Sequence, residues 1–93
     1  MTLVVTTDGG LVSIPDAVVV GIAVRAAEGV DGIRVRRRRT IDLDARIVRL
    51  SVAAERGEPL VELAERAQER VAATLKAMCG IETTVDIRVR ELV

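Results

Sequence analysis

Residues 57–81 constrain the fold of this chain more than any other stretch. After Gly57-Glu58-Pro59, the residues Leu60, Leu63, Ala64, Ala67, Val71, Leu75 and Met78 recur at i, i+3, i+4 and i+7. That spacing gathers them on one side of an α-helix. Glu62, Glu65, Arg66, Glu69 and Arg70 line the opposite side. Pro59 suits a first helical turn, where its missing N–H is not needed. Glu58 and Glu62 favour the positive end of the helix dipole, and Lys76 the negative end. Gly80 is the residue type that ends a helix in the left-handed conformation. Glu62 and Arg66 make a well-oriented i,i+4 pair, worth ~0.2–0.5 kcal/mol. About twenty residues rising 1.5 Å each predict a rod of roughly 30 Å. A helix with one apolar face needs a second layer, and the remaining segments supply it.

Those segments alternate with period two. Residues 47–55 place Val48, Leu50, Val52 and Ala54 on one face, with Arg49 and Ser51 on the other. Residues 81–93 alternate Val85, Ile87 and Val89 with Asp86, Arg88 and Arg90. In residues 33–43, Ile33, Val35, Ile41 and Leu43 share one parity, while Arg34, Arg36, Arg38 and Asp42 share the other. Arg37 and Arg39 break that pattern, so a strand here bends, bulges or ends near them. Near the N-terminus, residues 2–7 and 11–14 are β-branched and strand-like on either side of Asp8-Gly9-Gly10. They form either a hairpin or one strand broken at a glycine bulge.

Pro15 and Asp16 open a first helix, over residues 17–28, that stops at Gly29. Ser13 with Asp16 fits a loose capping box. Val18, Val19, Val20, Ile22, Ala23, Val24, Ala26 and Ala27 surround its axis, and after Asp16 only Arg25 and Glu28 are charged. An outer-layer helix normally shows a broader polar face. Two readings follow: a deeply packed helix, or one whose outer side, Val20 and Val24 in particular, meets another protein or subunit.

The element order predicts an α+β two-layer sandwich. Two helices lie on one face of a mainly antiparallel sheet, in βαββαβ order with an extra N-terminal hairpin strand. That order is compatible with a ferredoxin-like topology. Ninety-three residues without a linker-like tract form a single domain, 1–93.

Composition narrows the functions. There is no Phe, Tyr or Trp, so the core is built from aliphatic side chains, and no aromatic platform exists for stacking bases or sugars. Fourteen basic and fourteen acidic residues cancel, so net charge steers the chain toward no class of partner. There is no His, and Cys79 is alone, so neither an activated nucleophile nor a cysteine metal cluster is expected. The scattered carboxylates read as caps, turns or solvated helix faces; no catalytic residue, metal or cofactor is assigned. No apolar run reaches the ~20 residues of a membrane span. The N-terminus lacks the basic segment of a secretion signal, so a cytoplasmic location is expected. Gly29-Val30-Asp31-Gly32 has the GxxG spacing of a nucleic-acid-clamping KH loop, but it joins a helix to a strand rather than two helices. Arg34, Arg36, Arg37, Arg38 and Arg39 are the one local charge excess. They make either a patch for nucleic acid or an anionic membrane surface, or a solvated edge strand whose charge discourages pairing.

The chain resembles the alkaline shock protein family, envelope stress response proteins of Gram-positive bacteria. The resemblance rests on Gly10-Leu11-Val12-Ser13-Ile14 with Asp16 and Val18, on Ile22-Ala23, and on Gly29-Val30 with Gly32. It continues through Ala54-Glu55-Arg56-Gly57, Ala64, Gln68 and Val71, Gly80-Ile81, and Val85-Asp86-Ile87-Arg88-Val89. Members often carry an aromatic residue where Arg56 stands, a serine near Pro15, and a longer charged tail. The resemblance implies a non-enzymatic cytoplasmic interaction or scaffold protein that forms homo-oligomers. It also implies recruitment to the membrane periphery by a small membrane-anchored protein partner, and a link to envelope stress or to regulation of lipid synthesis. It carries over no catalytic residue.

Overall fold

The strand at residues 47–54 sets the architecture. The computed structural model describes residues 2–36, 41–44 and 47–93. Its elements are β1 (Thr2–Thr7), β2 (Gly10–Pro15), α1 (Asp16–Glu28), β3 (Ile33–Val35), β4 (Ile41–Asp44), β5 (Ile47–Ala54), α2 (Leu60–Cys79) and β6 (Thr84–Leu92). β5 is central. β3 and β4 pair antiparallel with successive parts of it, and β6 runs parallel beside it. α1 and α2 pack against one another and against this sheet. The result is the mainly antiparallel two-layer α+β arrangement that the element order predicts.

Parity decides which residues reach the core. Val48, Leu50, Val52 and Ala54 of β5 are buried. Directly opposite them in register stand Leu43, Ile41, Val35 and Ile33. Arg36 N–H donates to Ser51 O at 3.2 Å, and Ile41 pairs with Leu50, the neighbouring residue of β5. β3 ends at Val35; the interruption expected near Arg37 and Arg39 lies outside the described residues.

β2 and β1 pair antiparallel from Thr2↔Pro15 to Thr7↔Gly10, so the N-terminal segments are a hairpin rather than a broken strand. This hairpin is a separate two-stranded sheet. The ferredoxin-like topology, which would place the strand before the first helix inside the main sheet, is not adopted. β6 instead pairs directly with β5.

The boundaries shift modestly. Pro15 and Pro59 are N-cap residues in extended conformation rather than first helical residues, and neither helix has a side-chain cap. With Pro15 as the N-cap residue, Ser13 lies two residues earlier, within β2, and not at the cap position that the Ser13–Asp16 capping box requires. Gly80 ends α2 at φ 71°, in the left-handed region, with its N–H donating to Lys76 O at 3.0 Å.

The core is aliphatic. Val19, Ala23, Ala26 and Ala27 of α1 meet Leu63, Ala67, Val71, Leu75 and Cys79 of α2 over the inner face of β5. On α2 the buried residues follow a four-residue spacing, so the buried line turns gradually around the helix. By the last turn Cys79 is buried and Met78, expected in the stripe, is 65% exposed. Leu60, also expected there, is exposed at the first turn for the same reason. Gln68 Nε2 donates to Val85 O at 3.1 Å and ties α2 to the start of β6.

Candidate functional site

Two surfaces carry the residues singled out from sequence, one on α1 and one on the outer face of the sheet. The buried stripe of α1 is Val19, Ala23, Ala26 and Ala27. Val20 and Val24 border that stripe and are half-buried. Val18, one residue earlier, is 49% exposed and is the large apolar side chain that α1 presents most openly. Its position was legible only as one of a run of valines. A helix apolar nearly all round does not reveal which side its neighbours leave uncovered.

Arg34 and Arg36 stand on the outer face of the sheet, away from the helices. Arg37, Arg38 and Arg39 lie outside the described residues. The outer face is mixed in charge. Arg36 Nη1 lies 3.4 Å from Glu91 Oε2, across β5. Arg49 faces Asp86 in register, with Nε to Oδ2 at 3.8 Å, and Arg88 Nε donates to the same oxygen at 3.2 Å. In the sequence, the carboxylates near the arginine run are Asp42, Asp44 and Glu55. Carboxylates of β6 reach Arg36 and Arg49, from a neighbour that sequence spacing does not disclose. Ala53 lies between Arg34 and Glu91 in register and is 4% exposed although it faces away from the core. Long charged side chains screen a small residue in this way with their aliphatic stems. Exposed pairs of this kind contribute about 0–1 kcal/mol each, so they neutralise the face more than they fasten it.

The grooves are mixed as well. One of about 450 Å³ is lined by Gly32, Ile33, Arg34, Glu55 and Val93. Another of about 460 Å³ is lined by Gly29, Val30, Asp31, Arg66, Glu69 and Arg70. In both, arginine and carboxylate share the wall. The GxxG segment leads from α1 into β3, and there Val30 is buried while Gly32 takes φ 90°. Cys79 is a free, buried thiol, and burial pushes its pKa up, away from the reactive thiolate. Among the described residues no three of His, Cys, Asp and Glu gather to hold a metal. No helix is long and apolar enough to cross a membrane.

Fold and surfaces together define a two-layer α+β domain whose described charged groups lie on open faces and along shallow grooves of mixed charge. Compared with protein-family models, curated proteins and solved structures, the chain matches none.

Proposed function

We propose that this chain is a non-enzymatic cytoplasmic interaction protein of the envelope stress response type. It acts as a homo-oligomer and gathers at the membrane by binding a small membrane-anchored protein. The observation that carries this reading is the apolar character of α1 on both borders of its buried stripe, with exposed Val18 on one side and half-buried Val20 and Val24 on the other. Apolar side chains flanking the buried stripe of α1, on a domain of balanced net charge, favour a protein partner over a charged polymer. The sequence resemblance to alkaline shock proteins supports the same class of function.

The test is a Val20→Glu/Val24→Glu variant, with Val18→Glu as a second variant at a position whose change leaves the core untouched. Both are expected to stay folded by circular dichroism and to lose self-association or the protein captured from the membrane fraction of the native cell. Retention of oligomeric state and of captured partner by both variants sinks the reading.

A second reading is a binder of nucleic acid or of an anionic membrane surface through the segment from Arg34 to Arg39. It stands on Arg34 and Arg36 sharing an open face with Arg49 and Arg88. Asp86 and Glu91 on that face oppose it, and it is the weaker of the two.

A further inference from the structure

We propose that the outer edge of β1 is a pairing edge. Its occupant is β1 of a second copy of this chain, joined antiparallel about a two-fold axis at Val4. The product is a continuous four-stranded sheet in the order β2–β1–β1–β2.

The argument starts from how strand edges are guarded. An open edge presents unpaired N–H and C=O groups from alternate residues and is a template for another strand. Folded proteins discourage that pairing with charge or proline. The described edges of the main sheet follow this rule. β6 carries Asp86, Arg88, Arg90 and Glu91. β3 and β4 carry Arg34, Asp42 and Asp44; β2 is uncharged and has a proline only at its last residue, Pro15, where the chain enters α1. β1 reads Thr2-Leu3-Val4-Val5-Thr6-Thr7, with neither a charge nor a proline. Its pairing partner is β2, and the two form a sheet of their own. Two-stranded ribbons are marginally stable in water. This one also exposes apolar side chains: Val4 at 53%, Leu11 at 71% and Val12 at 45%.

The chemistry of that edge selects its occupant. A charged strand laid beside β1 would place its charges against Thr and Val with no partner to satisfy them. An uncharged β-branched strand is the complement; β1 itself has that composition, and it lacks the proline that ends β2, the other uncharged strand with a free edge. Identical edges also suit a two-fold contact, in which the same patch serves both copies. Parity then chooses the register. With Val4 opposite Val4, Leu3 meets Val5 and Thr2 meets Thr6, so odd positions stay with odd ones. Val5, Val12 and Ile14 share one face of the hairpin by register, and Val5 and Ile14 already pack on the core. The face therefore continues unbroken across the axis, whereas a one-residue slip would mix the two faces.

This inference deepens the self-association within the proposed function and rests on that reading for the statement that the chain assembles. It moves the seam from α1 to β1. The test is sedimentation velocity of the 93-residue chain beside Val4→Lys, Leu11→Lys and Val20→Glu/Val24→Glu, each checked for folding by circular dichroism. The unchanged chain is expected to sediment at twice its 10.0 kDa mass. Val4→Lys, which sets two lysines against each other at the axis, is expected to halve that mass. Leu11→Lys, one strand removed from the seam, is expected to remain a dimer. Val4→Cys is expected to form a reductant-sensitive covalent dimer on oxidation. A monomeric unchanged chain, an undisturbed Val4→Lys dimer, or dissociation of Leu11→Lys as complete as that of Val4→Lys overturns the proposal. If only the Val20/Val24 variant dissociates, the β1 seam falls and the α1 reading stands. If only Val4→Lys dissociates while the Val20/Val24 variant keeps its captured partner, the seam stands and the α1 reading falls.

Discussion

Gly32 and Gly21 are one residue type with opposite consequences. Gly32 holds φ 90°, and its carbonyl accepts the Glu55 N–H at 2.8 Å, pinning the entry to β3 against the exit from β5. A Cβ there would meet Glu55 and Leu63 at 3.6 Å, an ordinary contact, so space is not the obstacle. The backbone conformation is, at roughly 1–2 kcal/mol for an L-residue in the left-handed region. Gly21 sits inside α1 with nothing within 4 Å of where a Cβ would stand. Gly32→Ala is expected to lower unfolding stability by about 1 kcal/mol, and Gly21→Ala to raise it by about 0.5–1 kcal/mol. Urea denaturation of both variants checks this; equal shifts would show that the Gly32 backbone is not strained. A tight connection is readable from Gly29-Val30-Asp31-Gly32. Which glycine turns left is not, because Gly29 stays at φ −71° and the direction of β3 decides.

At the scale of elements, α2 separates periodicity from burial. Leu63, Ala67, Val71 and Leu75 were legible from spacing and are buried. Met78 satisfies the same spacing, yet it lies about a quarter turn from the buried line, which has moved round to Cys79 by that point. Leu75→Ala is therefore expected to cost about 2–5 kcal/mol, and Met78→Ala to change stability by less than about 0.5 kcal/mol. Thermal or chemical unfolding gives both numbers, and a large loss at Met78 would mean that something covers the end of α2. α1 teaches the converse. Its valines and alanines signal burial in every direction, and only packed neighbours distinguish buried Val19 and Ala23 from half-buried Val20 and Val24 and open Val18.

For the whole molecule, the 49 × 22 × 18 Å extents describe an elongated body. β5 is flanked by β3 and β4 on one edge and by β6 on the other, while β1 pairs with β2 in a sheet of its own. Local opening free energies follow such differences in packing and pairing. Amide hydrogen exchange at low concentration is expected to be slowest in β5 and in the middle of α2, and orders of magnitude faster in β1. Association through β1 would slow that strand as concentration rises. Equal protection of β1 and β5 in dilute protein would show that the hairpin belongs to the core unit.

Local rules set the helices, the strand faces, the turn at Asp8-Gly9-Gly10 and the aliphatic core, because dihedral preference and side-chain periodicity act over a few residues. Tertiary structure decided what depends on which segments become neighbours. β6 lies parallel beside β5 and delivers Asp86 and Glu91 to the arginine face. The N-terminal hairpin stays out of the main sheet. Val18 is the valine of α1 left most open. Strand order and exposure are properties of distant contacts, and a pattern with period two or 3.6 names a face without naming what will cover it.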